Sequence, residues 1–481
     1  MKKGILVKLL SVAVVVSIKG GGGGIISIMA AGGGSATKTS DSKGDSSAGT
    51  EAVSKESASA AEKTGEESET ANKTAGEKNE GDIPSELTLY TYYADSAIEQ
   101  VDRALEIMKE TYPDLKINIE HRTDSDGSVL KTRAAVGELP DIFECTGQLT
   151  DLLVKSGDLA ELDDAIEETG YFDQYLDGNF EVKKSADGHY YAVSSTIPEC
   201  CLIFYNKEVF ARLGLSEPRN FEEFKNVVEK LSGDGIIPLA LFAQQKWPGL
   251  QMYDMAVIGQ GQPLGITGLD DGTAKVTDPE YLAAAEKLSE LVSMGLIGKG
   301  ALNTNASQAF ELLETGQAGM LVNGSWFFND AAVGGYGDKV GYFEYNPFAD
   351  AGKEEEVHWT KSGGSGAMGG YGVSAKGKYV EYSKKVLISF LEARDIANAE
   401  LGSLSVRKEP VEPLEPRAES YQSYADNLDK IESTTKYEWA LDNQELITGL
   451  EDACELLLTG LSTPEDYIAD LEERISMALG E

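Results

Sequence analysis

The sequence predicts an α/β protein of two doubly wound lobes, and three observations carry that expectation. The first is size. A chain of 481 residues exceeds what one hydrophobic core ordinarily serves, and a hydrophobic share of 41% is enough for two. The second is a β-α-β order at the start of the folded part: the alternating LTLYTYY from Leu87, an amphipathic stretch from Ser96 to Tyr112, then LKINIE. That order belongs to a parallel sheet with helices on its faces. The third is residues 305–330, NASQAFELLETGQAGMLVNGSWFFND. Asn305 can cap a helix on which Ala309, Phe310 and Leu313 recur at helical spacing, and Gly316 is a natural stop. The apolar run Ala318 to Val322 suits a strand buried on both faces. Asn323-Gly324 is a turn signal. Ser325 can cap a second helix, which puts Trp326 in its first turn.

Composition excludes several functions. A net charge of −39 leaves no basic face for nucleic acid and argues against adhesion to anionic lipid; so many carboxylates read as a solvated surface. The four cysteines, Cys145, Cys200, Cys201 and Cys454, lack metal-ligand spacing. Cys200-Cys201 reads either as two buried thiols or as a strained vicinal disulfide. His121, His189 and His358 are scattered, so no metal site is expected, and no cofactor. GSGAMG (Gly364 to Gly369) fits G-x-G-x-x-G, but a strand rather than a helix follows it, which excludes the dinucleotide reading.

The elements follow in chain order. Residues 1–31 read as an export signal: Lys2 and Lys3 precede an apolar core from Leu9 to Ile18 that is too short to span a bilayer. Residues 32–84 carry almost no large apolar side chain and read as a disordered tether. Beyond the opening strand, Ile98, Val101, Leu105 and Met108 form the inward face of the first helix. DIFECTG, after Pro140, is a short strand. Asp187 to Val193 reads as a hairpin turn and strand. Cys200 to Tyr205 is a buried strand, with Asn206 capping the next helix. Phe221 to Leu231 is a helix, Gly235 to Ala240 a strand, and Tyr281 to Met294 a long amphipathic helix. Val340 to Phe343 is a strand and Asn346-Pro347-Phe348 a turn. YGVSA from Tyr371 is a strand, and Val380 to Glu392 a helix. Residues 405–420 read as a surface loop. Two helices close the chain, the last started by Ser462-Thr463-Pro464-Glu465 as a capping box with Pro in its first turn.

Several of these segments also carry a resemblance. E-x-G-x-A-G-M-x-V-N-G-S-W (Glu314 to Trp326), Gly235-Ile236-Ile237-Pro238, Pro218-Arg219-Asn220-Phe221 and the terminal G-x-S-T-P-E (Gly460 to Glu465) resemble family 1 extracellular solute-binding proteins, the carbohydrate receptors of ABC importers, over about residue 87 to the C-terminus. The resemblance implies a periplasmic-binding-protein-like fold of type II, two doubly wound lobes joined by a hinge. Lobe 1 would hold 85–200 and 368–415, lobe 2 201–367 and 416–481. It also implies that Tyr92, Tyr93 and Asp95 from the first strand's end, and Glu144, Thr146 and Gln148 from the third, face the ligand. Glu199 matches a ligand-contacting carboxylate, and Tyr371 stands where the chain re-enters lobe 1.

Trp247 lies among glutamines, Gln245 included; an aromatic face beside carboxamides suits a pyranose. Trp326 lies past a strand's carboxyl end, where open α/β sheets bind ligands, and either stacks on the sugar or plugs the core. The expected partners are a carbohydrate and the transmembrane subunits of an ABC permease. The expected receptor is a monomer on the outer face of the cytoplasmic membrane. Lys19 and Gly20 to Gly24 stand where the family carries a lipobox cysteine, which argues against a lipid anchor. Two other readings stay open: a glycoside-acting enzyme using Glu144 and Glu199 as a carboxylate pair, and the same fold binding a non-sugar solute.

Overall fold

The computed structural model describes residues 83–479, apart from 95, 125–126, 177–183, 186, 195–198, 366–368 and 442. The export signal, the tether as far as residue 82 and Asp95 lie outside the described residues. Among the described residues no helix is long and apolar enough to cross a membrane.

The chain opens with β1 (Glu86–Thr91), α1 (Ser96–Met108), β2 (Lys116–His121), α2 (Ser128–Val136) and β3 (Ile142–Cys145), followed by α3 (Gly147–Lys155) and α4 (Asp163–Thr169). β1 pairs in parallel with β2 on one side and β3 on the other. Leu87, Leu89 and Thr91 are buried on one face of β1 and Tyr90 on the other, as suits an inner strand of a parallel sheet covered on both sides. The expected inward face of α1 is rotated: Ala97, Val101, Ala104 and Met108 are buried, while Ile98 is 39% exposed. Small alanines let α1 lie close against a later helix, and the larger Ile98 is left outside. The strand expected around Tyr191 is reduced to a single bridge, Val193 to Tyr371.

A second sheet follows. β4 (Cys201–Asn206), α5 (Lys207–Leu213), α6 (Phe221–Gly233), β5 (Ile237–Ala240), α7 (Trp247–Gly259), α8 (Thr267–Asp270), α9 (Pro279–Ser293), α10 (Ala306–Glu314), β6 (Ala318–Gly324), α11 (Phe327–Val333), β7 (Val340–Tyr342) and β8 (Thr360–Ser365) run in order. The sheet reads β5-β6-β4-β7, with β6 parallel to β5 and antiparallel to β4. Local signals start its helices: Asn206, Asn220 and Asn305 each accept a backbone N–H as N-caps, a bond worth about 1 kcal/mol. Asn305 and Gln308 close a full capping box. Asn323-Gly324 is not a turn. Both residues extend β6, opposite Leu202 and Cys201, because the pairing with β4 overrides the local preference. Trp326 is the cap residue of α11 rather than part of its first turn, and the Ser325 N–H donates to the Cys200 carbonyl at 2.8 Å.

The chain returns to the first sheet as β9 (Gly370–Val373), antiparallel to β3, and α12 (Val380–Glu400), which packs on α1. It then runs through α13 (Glu419–Asp426), β10 (Ser433–Lys436), α14 (Gln444–Leu458) and α15 (Pro464–Leu479). β10 pairs in parallel with β8, so a strand does precede the glycine run, and β9 rather than a helix follows it. One core gathers Leu87, Leu89, Val101, Ile142, Tyr371, Leu387 and Phe390. The other gathers Phe204, Leu239, Val257, Leu288, Met320, Leu450 and Tyr467. Leu404 packs on the second core and Val406 on the first, and the Lys408 N–H donates to the Gln174 carbonyl. The chain therefore passes between the cores before β4, before β9 and again near 404–419.

Candidate functional site

An aromatic cluster stands on the second body beside the crossings. Trp326 follows β6 and Trp247 opens α7, both just past parallel strands; Tyr437 and Trp439 follow β10. The ring centres of Trp247 and Trp326 are 5.8 Å apart, those of Trp247 and Trp439 5.5 Å, and those of Trp326 and Tyr437 5.5 Å. Tyr437 and Trp439 stack at 4.3 Å and 9°. Tyr437 is wholly buried, Trp247 is 9% exposed, and Trp326 and Trp439 are half-buried. Tyr437 therefore backs the cluster, and the two half-buried indoles are its more exposed members. Two glycines make room. A Cβ on Gly324 would sit 2.1 Å from the Trp326 ring, and one on Gly363, at φ +71°, 2.6 Å from the Tyr437 ring. Gln245 is exposed and accepts the Trp247 indole N–H at 3.0 Å.

A polar network occupies the first body's side of the crossings. Glu144, on β3, accepts from the Tyr92 N–H at 3.0 Å and the Thr91 hydroxyl at 3.1 Å. The Thr91 and Tyr371 hydroxyls are 2.6 Å apart. Arg122 Nε stands 3.5 Å from Glu144, and the Arg394 guanidinium lies over the Tyr371 ring, 5.2 Å from its centre. Burial alone would raise the Glu144 carboxyl, but Arg122, Arg394 and the Tyr92 N–H hold it below the usual carboxylate range. Glu199, at the crossing before β4, goes the other way: burial pushes it up to about 7, Asp330 adding to the rise and Arg394 opposing it. The two bodies touch here. The Ser96 hydroxyl at the start of α1 donates to Asp330 on α11 at 2.6 Å, and the Asn329 amide donates to Ser403 at 3.0 Å.

Glu144, Tyr92 and Tyr371 meet in this network, whereas Trp247, Gln245 and Trp326 meet in the aromatic cluster. Tyr371 is only 1% exposed, so it supports the network from beneath rather than presenting a face. Tyr93 spends its hydroxyl on Asp102 at 2.7 Å. Thr146 caps α3 through the Leu149 N–H; Gln148 lies in that helix's first turn. The sequence reading missed Tyr437, Trp439, Arg122 and Arg394. KYEWALD has no periodicity to single it out. The two arginines carry no local signal. Cys200 and Cys201 are free thiols. The histidines, scattered in sequence, meet carboxylates twice among the described residues: exposed His189 Nδ1 stands 3.4 Å from Glu161 and 3.5 Å from Asp163, and buried His358 stands 3.2 Å from Glu344 and 3.5 Å from Glu355.

Comparison with known proteins agrees with this architecture. The profile of a family described as bacterial extracellular solute-binding protein matches residues 90–387. The chain is 24% identical over 401 residues to an uncharacterised ABC transporter extracellular-binding protein of Pyrococcus horikoshii, covering 81% of this chain and 83% of that one. It is 25% identical over 302 residues to the multiple sugar-binding protein of Streptococcus mutans, covering 58% of this chain and 65% of that one. Among solved structures it resembles a chitin oligosaccharide binding protein, with a TM-score of 0.69, 24% identity and coverage of 82% and 99%.

Proposed function

The chain belongs to the family of bacterial extracellular solute-binding proteins, and from that premise we propose that it captures a sugar or oligosaccharide for an ABC importer. The aromatic cluster carries this reading. Half-buried Trp326 and Trp439, set at strand ends beside the crossings, give flat apolar faces for the C–H side of a pyranose. Glu144, Arg122, Glu199 and Arg394 supply donors and acceptors for hydroxyls from the other lobe. Lobe 1 is taken as 85–200 with 368–415, and lobe 2 as 201–367 with 416–481. Closure about the crossings would bring the two halves of the site together, and the closed form would dock on the permease. Stacking costs little side-chain entropy, because a Trp has only two χ angles. The receptor is read as an exported monomer at the outer face of the cytoplasmic membrane, working by binding and not by turnover.

The test is a thermal-shift screen against mono- and oligosaccharides. A ligand that binds only the native state raises the melting temperature. A panel of neutral sugars without effect would overturn the reading.

One observation favours a glycoside-acting enzyme instead: Glu144 is held ionised while Glu199 is pushed up to about 7, the split an acid and its partner need. Against it, Glu144 already accepts two hydrogen bonds. Release of p-nitrophenol from aryl glycosides, lost in Glu199→Gln, would establish the enzyme and sink the receptor.

A further inference from the structure

Among the described residues one non-glycine has a positive φ: Lys246, at φ 59° and ψ −44°. L side chains rarely hold this conformation, and it persists only where the surroundings enforce it. Lys246 lies between Gln245 and Trp247. Its backbone closes the short turn Ala243–Gln245, its N–H donating to the Ala243 carbonyl at 3.1 Å. Its carbonyl then accepts the Gly249 N–H at 3.0 Å, starting α7. The reversal at Lys246 turns the Gln245 carboxamide back onto the Trp247 indole N–H.

α14 lies against the reversal. The Lys246 ammonium bonds to Asp452, and Glu455 stands 3.8 Å away. Both carboxylates lie in the second half of α14, whose carbonyl end also favours a cation. One residue past Pro248, α7 lies so close to α14 that a Cβ on Gly249 would sit 2.6 Å from Leu458 Cδ1. α14 is thus the base on which the Trp247 turn rests.

We propose that Lys246 is a positioning residue of the sugar site: held by Asp452 and Glu455, its reversed backbone sets the angle at which Trp247 meets Trp326 and Trp439. This rests on the sugar-receptor reading. The ion pair is partly exposed, with side-chain exposures of 35% and 42%, so it adds little to folding. Its value is angular: a ring that must meet Trp439 edge-on and Trp326 at a tilt cannot tolerate a turn free to relax.

Three of the four tryptophans belong to the cluster, Trp359 being the fourth. The near-UV circular dichroism of the unliganded protein therefore reports the cluster directly. Lys246→Gly removes both the strain and the ammonium, and Lys246→Gln removes only the charge. Both are expected to change the near-UV spectrum and to weaken binding of N,N′-diacetylchitobiose, xylotriose or raffinose, whichever binds the wild type, by about tenfold, equivalent to about 1.4 kcal/mol. The melting temperature should stay within about 2 °C. Lys246→Arg should keep the wild-type spectrum and affinity, and Lys246→Asp with Asp452→Lys should recover part of both. Unchanged spectrum and affinity in Lys246→Gln would overturn the inference, as would a lowered melting temperature with unchanged affinity. If none of these sugars binds the wild type but the spectrum still changes in Lys246→Gly and Lys246→Gln and is kept in Lys246→Arg, the positioning role stands and the sugar-receptor reading fails.

Discussion

Trp439 shows what a single residue does in this protein. It stacks on Tyr437, which is wholly buried, and it meets the Trp247 edge. It is half-buried, with Tyr437, Trp247 and Trp326 around it, and we read its exposed part as the surface a ligand ring would meet. Trp439→Ala is expected to weaken sugar binding by about thirtyfold, or about 2 kcal/mol, while the folded state survives because Tyr437 keeps the core closed. Isothermal titration and a melting curve on the same preparation check both halves. The sequence shows Trp326 and Trp247 readily, each next to a strand with its own local signal. It hides Trp439, because the position of KYEWALD depends on β10 pairing with β8 some 70 residues away, and no local pattern encodes that pairing. Arg394 is hidden for a similar reason: its place on α12 reads as helix, and only the packing of α12 brings it over Tyr371.

At the scale of elements, one buried carboxylate joins three segments that carry the site. Asp254 on α7 accepts the Ile266 N–H at 2.7 Å, the Ser362 hydroxyl of β8 at 2.6 Å and the Thr435 hydroxyl of β10 at 2.6 Å. α7 brings Trp247 and β10 brings Tyr437, so this network ties the two halves of the aromatic cluster together. Asp254→Ala leaves buried donors without acceptors and is expected to cost about 3 kcal/mol of stability. Urea unfolding with an unchanged slope would measure it; a loss under about 1 kcal/mol would mean that water replaces the carboxylate. Elements with local causes were legible: Asn206 and Asn305 announce their helices and cap them in the structure, as Asn220 also does for α6. Elements set by tertiary pairing were not. Asn323-Gly324 reads as a turn but is held as strand by β4, and Ile98 reads as inward but is left outside by the alanines of α1.

The whole molecule carries a pH dependence with a definite sign. Burial pushes Glu199, Glu217 and Glu451 up to about 7 and Asp254 up to about 6. A folded-state pKa raised above the unfolded value means that the native state holds protons the unfolded chain has released. The associated stability is complete below the unfolded pKa, near 4, and is lost as pH rises through 6 and 7. His358, lowered chiefly by burial, opposes this in part of the same window. Glu144, Asp158 and Asp350, held low by their partners, lose their contribution only under more acidic conditions. With five raised carboxyls, buried Glu438 being the fifth, against one imidazole and the buried Lys361 ammonium, lowered to about 8, and a net charge of −39 repelling itself more at higher pH, the melting temperature should be higher at pH 5.5 than at pH 8. A higher value at pH 8 would show that these carboxyls are more hydrated than their burial implies.

The central claim is that a sugar stacks on Trp326 within the aromatic cluster. The most direct measurement is calorimetric titration of wild type and Trp326→Ala with the sugar that most raises the wild-type melting temperature. The account predicts one site per chain in the wild type and at least about a thirtyfold loss in the variant, with the unliganded variant still folding cooperatively. Undiminished affinity in the folded variant, with the stability loss of about 3–5 kcal/mol that emptying a core position brings, would contradict it and make Trp326 a plug in the core.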